Sequence, residues 1–213
     1  MDIETLNPYV IRILISARDQ DSMSSIAKRI GLSYGWTHKW ISVLIKEGVF
    51  KEKWNGIILQ EDNQSYKKIM QFIKNTINPI NLYYSTLPLM GISYSLTQTD
   101  AVYVWTNGGY NIARYKEFYP IFIKIEKKDY QTFLYYCNKL GLNIKAKDGT
   151  FYDPKLVEKL ISVKNGKYDV DSLEETIDFM KNNIYNFEPA LEMIDEMYHK
   201  KLGYEYKEVS SLS

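Results

Sequence analysis

The sequence predicts an α+β protein in two parts: an N-terminal group of short helices closed by a β-hairpin, then a mixed α/β domain ending in a helical hairpin. Three observations carry that expectation. Between Ile26 and Leu59, two helical periodicities are separated by Gly31-Leu32-Ser33 and followed by Gly48 and by Asn55-Gly56, the strongest short-range hairpin signal. Beyond Ile80 the pattern turns to β-branched and aromatic runs such as Tyr119-Pro-Ile-Phe-Ile-Lys-Ile125, interrupted by one strongly helical stretch. From Ser172 to Lys201, Leu173, Ile177, Met180, Ile184, Leu191, Ile194 and Met197 recur at helical spacing.

In chain order, Asn7-Pro8 opens a first helix to about Ala17, with Val10, Ile11, Leu14 and Ile15 as its apolar stripe. Pro8 suits the first helical position, where its missing N–H would have no partner anyway. Ser22 or Ser24 caps a second helix carrying Ile26, Ala27 and Ile30, and Gly31 ends it by tolerating the left-handed conformation. Ser33 caps a third helix that buries Thr37, Trp40, Ile41 and Leu44, leaving Tyr34, Trp36, His38, Lys39 and Ser42 outward. After the hairpin, a helix from Tyr66 to about Thr76 presents Ile69, Met70, Phe72, Ile73 and Ile77 on one face, and Asn78-Pro79 ends it. The expected domains are 1–62 for the helical head, 63–79 for a connecting helix, and 80–213 for the α/β part.

Within that second part, Ala101-Val-Tyr-Val-Trp105 reads as strand and Asn107-Gly108-Gly109 as its hairpin turn. Strand 119–125, helix 128–140 stopped by Gly141, and strand 142–146 make a β-α-β passage. Asn165-Gly166 joins Leu160–Val163 to Tyr168–Val170 in a further hairpin. Asp171 is expected to cap a helix from Ser172 to about Asn183, with Glu174 completing a capping box. Phe187-Glu-Pro189 opens the last helix, and the polar tail from Lys207 is expected to fray.

The run Ile26–Phe50 resembles winged helix-turn-helix regulators of the MarR and ArsR type, without a gap, the hairpin to Leu59 standing as the wing. The likeness covers about residues 5–60. It implies that the helix after Ser33 enters the DNA major groove and that the wing touches backbone or minor groove. Tyr94–Tyr103 and Tyr119–Lys124 resemble, more distantly, the second half of AbiEi-type antitoxins. In that family the winged helix binds the promoter of its own operon.

Composition narrows the function classes. A hydrophobic fraction of 45% in 213 residues is that of a folded chain with one large or two small cores. Lys+Arg 27 against Asp+Glu 26 gives net +1, so any attraction to nucleic acid must come from local clustering. The 19 tyrosines read as amphipathic core and surface filler. Cys137, the single cysteine, excludes an internal disulfide and sits in an apolar helical pattern that marks it as a small buried hydrophobe. No apolar run reaches about 18 residues, and Met1-Asp-Ile-Glu lacks the basic start of a signal peptide. A cytoplasmic protein without membrane contact is expected.

The chemistry-bearing motifs are few. His38, His199 and Cys137 cannot by themselves build a zinc site, and neither a P-loop nor Gly-x-Gly-x-x-Gly nor Gly-x-Ser-x-Gly is present. Asp169-Val-Asp171 has the spacing of a magnesium-holding pair, but the Gly-Ser at a helix start that nucleotidyltransferases add is missing upstream. Lys28, Arg29, Lys39, Lys46, Lys51 and Lys53 cluster around the second helix, the third helix and the hairpin, where a winged helix meets phosphate; Glu47 and Glu52 dilute them. Trp36 and Trp54 each have two readings: Trp36 folds back on Trp40 or faces a groove, and Trp54 staples the core or contacts DNA.

The sequence therefore leads to a sequence-specific double-stranded DNA-binding transcriptional regulator, antitoxin-like, autoregulating and homodimeric. It needs no cofactor or metal and performs no catalysis. The expected DNA-binding residues are Lys28, Ser33, Tyr34, Trp36, His38, Lys39, Ser42, Lys51, Lys53 and Asn55. The C-terminal domain is expected to take a protein partner or a small-molecule effector. The alternatives are a protein-interaction module built on the same helices and a magnesium-dependent nucleotidyltransferase-like enzyme.

Overall fold

The computed structural model of the chain describes residues 7–112 and 114–204; the polar tail from Lys207 lies outside them. The described residues form a mixed α+β chain with nine α-helices and two sheets. Contacts divide it into two units: the chain up to Ile92 with Gln131–Leu142, and Ser93–Tyr130 with the chain from Asn143 on. The boundaries expected at 62 and 79 thus fall inside the first unit, which also reclaims a helix from far along the sequence. None of the described helices is long and apolar enough to cross a membrane.

The first unit begins with α1 (Pro8–Ser16), whose cap Asn7 accepts a hydrogen bond from the Tyr9 amide. Next come α2 (Met23–Ile30) and α3 (Tyr34–Lys46), then the hairpin strands β1 (Phe50–Lys53) and β2 (Gly56–Leu59). Val10, Ile13, Leu14, Ile26, Ile30, Ile41, Leu44 and Ile57 are fully buried and make the core that these elements share. Two more helices follow, α4 (Gln64–Thr76) and α5 (Pro79–Thr86). Asn78-Pro79 ends the first of these and also starts the second, with Asn78 capping Ile80 and Pro79 at the first helical position. On α4, Ile69, Met70 and Ile73 are buried as expected, but Phe72 lies outside the stripe and is 42% exposed.

The next helix, α6 (Thr99–Trp105), belongs to the second unit, and the one after it, α7 (Tyr130–Leu140), returns to the first. There it closes the end of α1, whose last carbonyls have no partner within their own helix. Lys139 Nζ donates to the carbonyls of Leu14 at 2.8 Å and Ile15 at 3.3 Å, and the Tyr136 hydroxyl donates to Ser16. Cys137 is buried in the same helix, and burial pushes its thiol up to about 12, so it packs as a hydrophobe.

Burial pushes the Lys139 ammonium down to about 7, against the upward pull of Glu61, Asp21 and Asp19. An amine that loses its proton more easily when folded lowers stability while it is charged, fully so below its folded value. That penalty fades as pH rises from the folded value toward the unfolded one. Thermal stability is therefore expected to climb between pH 6 and 8.5, Lys139 contributing roughly 2 kcal/mol over that range at about 1.4 kcal/mol per unit. Lys139→Met should flatten the climb; an unchanged profile would mean that the amine titrates at its ordinary value.

The second unit is a six-stranded mixed sheet in the order β5-β6-β4-β3-β8-β7. Its strands are β3 (Tyr94–Leu96), β4 (Phe118–Glu126), β5 (Asn143–Ile144), β6 (Gly149–Val157), β7 (Val163–Asn165) and β8 (Tyr168–Val170). β4 and β6 run parallel over nine residues, Phe118 facing Gly149 and Glu126 facing Val157. Pro154 is tolerated in the middle of β6 because β5 pairs only with Phe151 and Tyr152, so no neighbour on that side needs the missing donor.

Four expectations change here. The strand expected at 160–163 is β7 at Val163–Asn165, and since Asn165 pairs with Tyr168 the turn of that hairpin is Gly166-Lys167. Ala101–Trp105 lies in the helix α6, so Asn107-Gly108 terminates a helix and does not turn a hairpin. The helix α8 (Leu173–Asn182) is capped by Ser172, whose hydroxyl accepts from the Glu175 amide at 3.1 Å; Asp171 is buried beneath it. The last helix, α9 (Ile184–Tyr198), begins five residues before Pro189 and contains it. The helical hairpin itself forms as expected: Leu173, Ile177 and Met180 of α8 pack with Phe187, Leu191 and Ile194 of α9 against Val102 of α6.

Candidate nucleic-acid interface

The most unusual surface of the first unit lies along α2, α3 and the hairpin. Gly31, at φ +64°, turns the chain out of α2, and the Ser33 hydroxyl caps α3 by accepting from the Trp36 amide at 3.4 Å. The apolar spacing then fixes the rotation of α3: Thr37, Trp40, Ile41 and Leu44 are buried, as expected. The opposite face carries exposed Tyr34, Trp36, His38 and Lys39, while Ser42, further along, is half-buried. Trp36 is 51% exposed and does not fold back on Trp40. Its ring stacks on Tyr9 of α1 at 5.8 Å, and the Lys39 ammonium lies 5.1 Å from its centroid. Tyr34 leans on His38 at 5.9 Å. The aromatic groups on this face are thus braced in pairs while still exposing edges to solvent.

The hairpin is held at its base. Gln20 donates to the Ile57 carbonyl at 3.0 Å and Ile57 donates to the Asp21 carbonyl at 2.9 Å, so this segment is a second backbone partner for β2 beside β1. Gly56 is required there: a Cβ would stand 2.5 Å from the Asp21 carbonyl oxygen. Lys53 faces Gly56 in the register, so the two-residue loop is Trp54-Asn55, and Gly56 opens the returning strand. Strand alternation puts Lys51 and Lys53 on the side opposite buried Phe50, and Glu52 on the other side, away from the lysines. Trp54 is 100% exposed, which rules out the core staple.

Tyr34, the Ser22–Ser24 start of α2, and Glu52, Lys53 and Trp54 of the hairpin line one open cleft of about 280 Å³, so a carboxylate and an ammonium share it. Of the expected site residues, Tyr34 and Lys53 meet there; Ser33, Trp36, His38 and Lys39 continue the surface along α3. Asn55 lines a smaller neighbouring hollow with Gln20 and Trp54. Lys28 and Lys51 are exposed outside both hollows. Arg29 is withdrawn from the basic set: its guanidinium grips Asp21 at 2.6 and 2.8 Å and the Ser16 carbonyl at 2.7 Å. Tyr9, which supports Trp36, had only its aromatic character on the solvent side of α1 to mark it in the sequence.

The second unit places the Asp169/Asp171 pair against cations of its own. Asp169 meets Lys164 at 2.8 Å; Asp171 meets Lys124 at 2.8 Å and accepts from the Ser95 hydroxyl at 2.7 Å and from that of Thr97. Desolvation pulls the Lys124 ammonium down, but its hydrogen bonds to Asp171 and Glu175 outweigh this and leave it above its ordinary value. Among the described residues no group of three or more His, Cys, Asp or Glu side chains is placed to hold a metal ion. No protein-family model matches the chain, and no curated protein or solved structure matches it either.

Proposed function

We propose that the chain is a sequence-specific double-stranded DNA-binding regulator whose first unit works as a winged helix-turn-helix. The observation that carries this reading is the solvent face of α3, with Tyr34, Trp36, His38 and Lys39, flanked by a rigidly based hairpin bearing Lys51, Lys53 and a fully exposed Trp54. In this reading α3 lies in the major groove, where His38 and Lys39 reach base edges or phosphate and the aromatic edges meet thymine methyls. The hairpin lysines face phosphate, and the Trp54 indole packs on sugar edges.

One reading helix spans too few base pairs for high specificity, so the regulator acts as a homodimer in the cytoplasm. Phe72, exposed on α4, supports placing part of the dimer contact on that helix. Binding to its own promoter, in the antitoxin manner, completes the reading.

DNA fragments selected from the source genome by the full-length protein provide the test. Affinity is expected to fall steeply with added salt, as phosphate contacts release counterions. Lys39→Glu, an exposed change, should leave the melting temperature within a degree or two. It should weaken binding by about tenfold or more and lower the slope of log affinity against log salt by about 1. A folded Lys39→Glu protein that binds like wild type would mean that α3 does not read DNA through this face. Capture of protein without salt-dependent DNA binding would favour the interaction-module reading.

A further inference from the structure

The second unit holds a larger cleft that the DNA-binding reading leaves without a role. It lies between the end of α6 and the tip of the β7–β8 hairpin and encloses about 380 Å³, within the range of small-molecule sites. One wall is Tyr103, with the left-handed turn at Asn107 (φ +50°) and Gly108 (φ +82°) beside it. The other wall is Tyr168 with Asn165, and Lys167 stands at the hairpin tip.

The chemistry of this lining is selective. The amides of Asn107 and Gly108 bind the carbonyls of Val104 at 3.1 Å and Tyr103 at 2.8 Å. The carbonyl end of α6 is therefore closed by the backbone that follows it, and its negative dipole favours a cation such as Lys167 at the rim. No carboxylate lines the cleft, and the nearby Asp169 is neutralised by Lys164. The Lys167 ammonium sits 5.1 Å from the Tyr168 ring centroid, exposed at the rim. Two phenol rings, two side-chain amides and one rim cation suit a planar heterocycle that carries a single anionic group.

We infer that this cleft binds a nucleoside monophosphate. The base lies against the tyrosine rings, on which any base can stack through its π-face. Asn107 and Asn165 offer donors and acceptors to the base edge or ribose hydroxyls, and Lys167 takes the phosphate. Inorganic phosphate would leave the aromatic walls unused, and a neutral nucleoside would leave the ammonium unused. This site stands whether or not the first unit binds DNA.

The test is titration of AMP, GMP, CMP and UMP into the full-length protein, followed by calorimetry and by backbone amide resonances, with adenosine and inorganic phosphate as controls. At least one monophosphate is expected to saturate the protein in the micromolar to low-millimolar range and to shift the Gly108 and Gly166 resonances. Its affinity should exceed that of its nucleoside and of phosphate by about tenfold. Lys167→Ala, at an exposed turn, should bring the nucleotide down to the level of the nucleoside, and Tyr168→Leu should weaken both. Absence of binding by all four monophosphates would overturn the inference. So would shifts confined to other residues, equal affinity for inorganic phosphate, or a Lys167→Ala protein that binds like wild type.

Discussion

Asp100→Ala is expected to cost about 3–5 kcal/mol of unfolding free energy, the range for removing one partner of a buried ion pair. The Asp100 and Arg114 side chains are 0% and 1% exposed and meet at 2.7 Å. The second Asp100 oxygen accepts from the Phe122 amide at 2.7 Å, and Arg114 also lies 4.6 Å from the Tyr119 ring centroid. Loss of Asp100 would therefore leave a buried guanidinium without its carboxylate, though still bonded to the Asn111 side chain at 2.7 Å, and a strand amide without its acceptor. The entry to α6 should loosen as well: Gln98 is held at φ +52°, ψ −128°, a region that non-glycine residues avoid. Denaturant unfolding of Asp100→Ala, Arg114→Met and Asp100→Leu/Arg114→Met checks this. The double variant should be more stable than Asp100→Ala, because it buries no unpaired charge. A single-variant loss under about 1 kcal/mol would show that the pair is solvated.

Asp171→Ala comes second, at roughly 3 kcal/mol, well above the cost of about 1 kcal/mol for deleting a helix cap. Its carboxylate is buried against the hydroxyls of Ser95 and Thr97 and the Lys124 ammonium. Removing it orphans the buried Thr97 hydroxyl, leaves the Ser95 hydroxyl with only the longer bond to the Leu96 carbonyl at 3.2 Å, and leaves Lys124 with Glu175, which is half exposed. Asp171→Asn should fall between, since an amide can still bond both hydroxyls but not balance the charge. Ser172→Ala should cost only about 1 kcal/mol, as the actual cap. Equal losses at positions 171 and 172 would contradict this division of roles.

The cap of α8 shows where sequence signals stop. Asp171 and Ser172 are both good cap residues, and only the sheet beneath decides which one turns inward. The stretch from Ile26 to Leu59 was legible because its determinants are local: Ser33, Gly31, the inward spacing of α3 and the Asn55-Gly56 turn all act within a few residues. The register still escaped by one position, since Gly56 answers to the Asp21 backbone across a long-range contact. Ala101–Trp105 is a short apolar run, for which periodicity cannot separate strand from buried helix. The deciding interaction, Asp100 with Arg114 and Phe122, is not local. In β6, Pro154 weakens any strand signal in the sequence, and the two-residue length of its neighbour β5, which makes that proline harmless, has no sequence signature. For the interface, the pattern identified the outward residues of α3, but not Tyr9 as the support of Trp36 or Asp21 as the partner that withdraws Arg29.

The return of α7 to the first unit also bears on the order in which the chain can fold during synthesis. Tyr136 and Lys139 reach α1 across 120 and 125 residues of sequence. The helices of the proposed reading head leave the ribosome early, yet the carbonyl end of α1 has no lid until residue 140 has been made. At about 5–20 residues per second, several seconds separate the two events. During that interval β3 and β4 are synthesised as well, so unfinished parts of both units coexist. Distant contacts of this kind slow closure, because the intervening chain must first be brought round. The nascent protein is thus expected to complete its first unit late, close to completion of its second, even though α1, α2 and α3 are made well before.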